Sequence, residues 1–143
     1  KMAADAWVIH DRFKEYMGDN TIDMDGDAWE VRLYTSASNI ATTSIGDATT
    51  ATNELSGSGY TAQTVAGTWN RVTSTVTFDS ADAAYTASGG SITARFAAVI
   101  DTTTTPDEVV CHSLLDNTPA DVTVTDGNTL TVQMNASGIF TLS

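Results

Sequence analysis

A chain of 143 residues and 15.0 kDa has room for one domain built on one hydrophobic core. With 6 Lys and Arg against 18 Asp and Glu, its formal charge of −12 repels nucleic-acid phosphates and anionic membrane surfaces, so neither is expected as a partner. Hydrophobic residues at 41% and charged residues at 17% set it among folded globular chains and apart from acidic disordered tails.

The N-terminal stretch has a helical rhythm. Ala6, Ile9, Phe13, Tyr16 and Met17 recur at three- and four-residue steps, with Asp11, Arg12, Lys14 and Glu15 between them. Asp5 is the expected N-cap and Gly18-Asp19-Asn20 the stop, while Trp7 and Val8 widen the apolar side. This predicts a helical arm over residues 1–20, followed by a single domain over residues 21–143. Lys1 to Asp11 is interrupted by Asp5, His10 and Asp11 and does not read as a secretory leader.

Beyond position 20 the composition turns to Thr, with 25 of them, a β-branched residue that suits a half-solvated pleated surface. From Trp29 the period is two: Trp29, Val31 and Leu33 fall on one side, Glu30, Arg32 and Tyr34 on the other. Residues 36–59 are small and polar, with Gly46, Gly57 and Gly59, and predict a long connection of the kind that often makes contacts. Strands are expected over Tyr60–Ala66 and Trp69–Phe78, then a turn region over 79–91 around Gly89-Gly90. Ile92, Ala94, Phe96, Ala98 and Ile100 are expected on one face of a core strand. Pro106 and Pro119 bracket another at Glu108–Leu115. Val122 and Val124, the turn Asp126-Gly127, and Leu130, Val132 and Met134 read as a hairpin, and Ile139–Leu142 as a closing strand. About eight short strands separated by turns predict an all-β chain, a jelly-roll-like antiparallel β-sandwich with an N-terminal helix. No segment repeats at a fixed period, and no apolar run approaches the roughly 20 residues that span a bilayer.

The residues offer little reactive chemistry. Asp23-Met24-Asp25-Gly26-Asp27 resembles the start of a calcium-binding EF-hand, but that loop needs Gly at its sixth position and Glu at its twelfth, where Ala28 and Tyr34 stand. Solvated turn carboxylates are the expected reading, and a weak adventitious cation site the lesser one. Cys111 and His112 are adjacent, so on a strand they point to opposite faces and do not meet as nucleophile and base. One Cys and two His, His10 and His112, fall short of a zinc site built from N and S donors, and a lone Cys forms no internal disulfide. Most of the acids that a glycosidase pair would require lie in turns, among them Asp47, Asp79, Asp82, Asp107, Asp116 and Asp126, where they bond their own backbone or face water. Ser56-Gly57-Ser58-Gly59 lacks the following Lys and helix of a phosphate loop. Trp7, Trp29 and Trp69 sit in apolar patterns and are expected in packing. No catalytic, cofactor or metal site is expected.

Three stretches carry a resemblance. Thr52-Asn53-Glu54-Leu55-Ser56-Gly57-Ser58-Gly59-Tyr60-Thr61-Ala62 resembles the Asn-Glu-hydrophobic-x-Gly-x-Gly-Tyr segment of a family of small structural proteins of tailed bacteriophages. Phe78-Asp79 with Ile92-Thr93-Ala94-Arg95-Phe96-Ala97-Ala98-Val99-Ile100 is similar to that family's central strand pair, and Asn135-Ala136-Ser137-Gly138-Ile139-Phe140-Thr141-Leu142 to its closing segment. The opening helix, Ile22-Asp23-Met24 and Leu33-Tyr34-Thr35-Ser36 fit in the same order, whereas residues 36–51 and 63–75 do not align. The resemblance implies a virion component without enzymatic activity or cofactor, a cement (decoration) protein that is made in the host cytoplasm and sits on the capsid exterior. Its implied partners are two further copies of itself, in a trimer, and the major capsid protein. A minor tail or fibre component with a receptor- or glycan-binding role is the alternative, and a small cell-wall hydrolase ranks last. Trp7, Ile9, Phe13, Tyr16, Met17, Leu55 and Tyr60, on the helix and the long connection, are the expected subunit or capsid contacts.

Overall fold

The computed structural model describes residues 4–143. Its elements run β1 (Val8–Ile9), α1 (Asp11–Gly18), β2 (Trp29–Tyr34), β3 (Gln63–Val65), β4 (Gly67–Val72), β5 (Thr75–Ser80), β6 (Ala83–Thr86), β7 (Ile92–Ala94), β8 (Phe96–Asp101), β9 (Glu108–Leu114), β10 (Val122–Val124), β11 (Thr129–Val132) and β12 (Phe140–Leu142). The chain is an all-β sandwich with one helix near its N-terminus. A five-stranded sheet in the order β1-β9-β8-β2-β3 forms one layer, and the other is assembled from a three-stranded sheet, β12-β5-β4, and the pairs β10-β7 and β11-β6. All of these pairings are antiparallel.

The two-residue rhythm of β2 sends Trp29, Val31 and Leu33 into the interlayer core, beside Ala97 and Val99 of β8 and Cys111 of β9. Phe78, Tyr85, Ile92, Ala94, Val122, Leu130 and Val132 meet them from the second layer, with the Trp29 and Phe78 rings 4.9 Å apart. The Tyr85 hydroxyl, buried among them, donates to the Val31 carbonyl at 2.6 Å. The opposite face of the five-stranded sheet is buried as well. Tyr34, Ala98, Ile100 and Val109 lie there beneath Ile40 and Ala48, with Ile45 and Ala51 at the margin. The long connection is therefore a cover for this second, smaller core. It is pinned by bridges from Tyr34 to Glu54 and from Asp47 to Glu108, and by the Asn39 side chain bonded to Thr50 and Thr52.

Several boundaries differ from expectation, each for a local reason. The helix begins at Asp11 with His10 as its N-cap, not after Asp5, because residues before it are extended along β9. Asp5 N–H donates to Leu114 O at 2.9 Å, Val8 and Ile9 pair with His112 and Cys111, and His10 N–H reaches Val110 O at 3.0 Å. Trp7 and Ile9 thus belong to an edge strand and its approach, and the apolar steps they share with Phe13 are not a helical stripe. Trp69–Phe78 is a hairpin instead of one strand: Thr73, at φ 54°, turns the chain between β4 and β5. The region 79–91 holds β6, whose inward residues are only Ala83 and Tyr85, too few to show a period. Ile92–Ile100 breaks at Arg95, where the facing changes. Ile92 and Ala94 enter the interlayer core, whereas Phe96, Ala98 and Ile100 turn to the second core and Ala97 and Val99 take their place. Asp126-Gly127 does turn, with Gly127 at φ 79°, but β10 pairs with β7 and β11 with β6, so no hairpin forms. These splits raise the strand number to twelve among the described residues.

Gly67 opens β4 directly against the core indole. A Cβ there would stand 2.5 Å from Trp29 Nε1 and 3.3 Å from Phe78 Cε2, both on rings that are fixed by packing. Gly67→Ala is expected to destabilise the fold by about 1–3 kcal/mol through overpacking, read as a lower urea midpoint with an unchanged m-value.

Candidate functional site

The seven expected contact residues converge on the core. Phe13 is fully buried, its ring 5.8 Å from that of Phe140. Ile9, Tyr16 and Met17 pack beside it, partly buried, as do Trp7, Leu55 and Tyr60 elsewhere on the same core. Tyr60 has a structural task in particular. Its hydroxyl donates to Glu54 Oε1 at 2.9 Å and accepts Leu33 N–H at 3.0 Å, and its ring stacks on Tyr85 at 5.7 Å. Burial pushes its phenol above the ordinary range, and the Glu54 carboxylate adds to this. Of the seven, Trp7 also reaches an open surface: a cleft of about 680 Å³ bounded by residues 4–7, Ser113, Leu115, Val122, residues 130–133, Asn135, Gly138 and Ile139. A smaller hollow of about 330 Å³ lies over Thr35, residues 53–58, Ser91 and Thr93.

The glycine-rich stretch beside that hollow is shaped by backbone geometry. Asn53, Gly57, Ser58 and Gly59 all have positive φ, and a Cβ on Gly59 would fall 2.9 Å from Ser88 Cβ. The C-terminal turn follows the same logic. Asn135 accepts Ser137 N–H through its side chain and Gly138 N–H through its carbonyl, Gly138 sits at φ 90° against Phe78 O, and Ile139 N–H donates to that same oxygen at 2.8 Å. Each of these residues shapes a turn or a close approach, and none presents a reactive group.

The ionisable groups with unusual surroundings lie where β1, α1, β9 and the long connection meet. Glu108, 1% exposed, accepts from Arg12 Nε at 2.9 Å and from Arg12 Nη2 at 2.5 Å, and Arg12 lies over the Tyr16 ring at 5.2 Å. Gly46 makes room for this pair, since a Cβ there would stand 2.8 Å from Glu108 Oε1. Next to it His10, fully buried, donates from Nδ1 to Ile45 O. Its Nε2 is then the acceptor for His112 Nδ1–H at 2.8 Å, which fixes both rings as neutral Nδ1–H tautomers. Burial lowers the His10 pKa against the pull of the Ile45 carbonyl and the Asp11 and Glu108 charges; burial, with His10 adding, takes His112 down to about 4. Cys111 points to the other side, fully buried, and its thiol is pushed above the ordinary range by that burial. This arrangement ties segments together and leaves no nucleophile beside a base. The two histidines meet across a separation of 102 positions, for which no local sequence signal exists.

Among the described residues no group of three or more His, Cys, Asp and Glu gathers as a metal centre. Comparison with protein-family models, with curated proteins and with solved structures finds no match to this chain.

The histidine pair generates a pH dependence whose sign is fixed. Unfolded imidazoles take up protons near 6.5, whereas folded His112 resists until about 4, so the unfolded chain binds more protons over that interval. The stability due to the pair is whole above about pH 6.5 and is lost as pH falls towards 4. Asp101, raised to about 7 by burial, titrates with the opposite slope, so the effect is read as a difference between variants. Urea midpoints are expected to lose more between pH 7 and pH 5 in the wild type than in His112→Gln, whose amide N–H still serves His10. Equal losses would dismiss the pair as the source.

Proposed function

We propose that the chain is a non-enzymatic structural component of a tailed-bacteriophage virion, a cement (decoration) protein that binds the outer capsid surface as a trimer, beside the major capsid protein. The observation that carries this reading is the use to which the resembling stretches are put. They lie far apart in sequence, yet each closes the same sandwich: Tyr60 through Glu54, Leu33 and Tyr85, Phe78 through Trp29 and Phe140, and Gly138-Ile139 through the Phe78 carbonyl. A motif spent on building a rigid module is what a structural protein needs, and the charge of −12 keeps such a module off the packaged genome during assembly.

The cleft beside Trp7 is the attachment surface in this reading, because it combines partly buried apolar residues, Trp7 and Leu115, with an accessible polar rim at Thr131 and Gln133. It also supports a second reading, a minor tail or fibre component that binds glycan, since an indole beside amide side chains suits a sugar ring.

Copy number separates the two. A cement protein is expected to rival the major capsid protein in a stained gel of purified particles, whereas a tail or fibre component would amount to a few to tens of copies. Gln133→Arg, on the exposed rim of the cleft, is expected to weaken particle binding by about tenfold or more with an unchanged melting temperature. Removal of residues 1–20 is unsuited to this test, because it takes away Phe13 and β1 and so reads folding.

A further inference from the structure

We propose that Asp27 and Asp101 form a site for a divalent cation of the calcium type, between the Asp23–Asp27 loop and the loop that follows β8. Asp101 ends β8 opposite Trp29 of β2, and its side chain is 0% exposed. One carboxylate oxygen, Oδ1, accepts Thr103 N–H at 2.8 Å. The other, Oδ2, has no hydrogen-bond partner, the one buried side-chain oxygen or nitrogen in that condition among the described residues. A second acid, Asp27, has its carboxyl within hydrogen-bonding reach of this side chain, and it supplies Oδ2 with no donor. Two acidic groups turned towards each other in a dry place require something positive between them.

The surroundings favour a metal ion as that something. Asp23, Asp25 and Asp27 fall within five positions, and none of the ion pairs among the described residues reaches them or Asp101. Part of the acidic loop is already spent on its own backbone: Asp23 Oδ1 accepts Asp25 N–H at 3.1 Å and Asp27 Oδ2 accepts Asp23 N–H at 2.8 Å. Asp27 Oδ1 and Asp101 Oδ2 thus remain as the free pair. Further oxygens stand on the same loops: the Thr103 hydroxyl, which accepts Ala28 N–H at 2.8 Å, and the Thr104 hydroxyl, which donates to the Asp101 carbonyl at 3.4 Å. Carboxylate and hydroxyl oxygens of irregular arrangement suit Ca²⁺, which takes six to eight oxygens and fills the rest with water and carbonyls. Two carboxylates place the affinity at the weak end of calcium sites, with Kd on the order of 10⁻⁴–10⁻³ M.

The test uses the full chain, stripped with chelator, in two measurements. Tb³⁺, a Ca²⁺ analogue, is expected to luminesce through Trp29, the strand neighbour of Asp101, and Ca²⁺ to quench this signal by displacement. Ca²⁺ at about 10 mM is expected to raise the melting temperature by about 3–8 °C. Asp27→Asn and Asp101→Asn are each expected to lose both responses, and Glu15→Gln, on the exposed face of α1, to keep them. Asp101→Asn is also expected to melt higher than the wild type without Ca²⁺, since an amide N–H can donate to Asp27. Should Asp101→Asn not fold, Asp27→Asn, at a half-buried position, decides alone. A Ca²⁺ shift of equal size in the wild type and these variants, as screening of the −12 surface would produce, overturns the proposal. So does the absence of both responses in the wild type, which would leave a shared proton between the two acids.

Discussion

A sheet whose middle strands are apolar on both faces has to be covered twice, and the rest of this structure follows from that need. In β8 the inward residues Ala97 and Val99 and the outward ones Ala98 and Ile100 are all fully buried. A two-layer sandwich supplies only one cover. The second comes from residues 36–59, which have too little secondary structure of their own to be a layer, yet place Ile40 and Ala48 over Tyr34, Ile100 and Val109. A segment in that position must hide its own polar backbone. It does so by bonding to the strand edge beneath it: Ala48 N–H to Asp107 O at 2.8 Å, and Leu55 N–H to Leu33 O at 2.8 Å.

Double coverage also explains the buried ionisable groups. Where the N-terminal segment, the cover and β9 close on one another, Glu108, His10 and His112 lose their water together. Glu108 is compensated by a forked guanidinium, whereas the histidines compensate one another only as neutral rings. These are different solutions to one desolvation cost, within a few residues of each other. The Arg12 guanidinium joins α1 to β9, and the His10–Ile45 bond joins the start of the helix to the cover. Three segments remote in sequence are therefore locked at one junction, which gives the short helix a stability that eight residues do not have alone.

How much of this was legible depended on whether a signal was local. The all-β class, the strand at Trp29 and the strand at Glu108 are written in two-residue alternation and in flanking prolines, and the structure has them within a residue or so. The helix boundary was misplaced because Ile9 and Phe13 are both apolar for separate reasons, one as an edge-strand residue and the other as a helical core residue. The break at Arg95 was hidden by a run in which every second residue from Ile92 is apolar and so is the set between from Ala97; with both faces buried, alternation no longer tells which face is which. The contact between Asp27 and Asp101 and that between His10 and His112 depend on strand pairing across the chain, and single-sequence periodicity carries no such information. The acidic loop was visible as composition, but its partner was not.

The charges that remain set how the molecule meets anything else. Arg12, Lys14, Arg32 and Arg95 are each paired with an acid of this same chain, at Glu108, Asp11, Glu30 with Asp107, and Asp121 respectively. Among the described cations Arg71 alone is outside these pairs, and it bonds the Thr73 carbonyl at the tip of the β4–β5 hairpin. The acids left over outnumber their local cations, so two copies approaching in water repel, and only burial of apolar surface, a cationic partner or bound metal ions can offset that repulsion. Among the described residues the exposed large apolar side chains are Val8, Val72 and Leu142, which leaves a contact between copies little fully exposed apolar surface to bury. Contacts between copies are therefore expected to tighten as salt screens the repulsion of these acids, whereas contact with a cationic partner would weaken under the same screening.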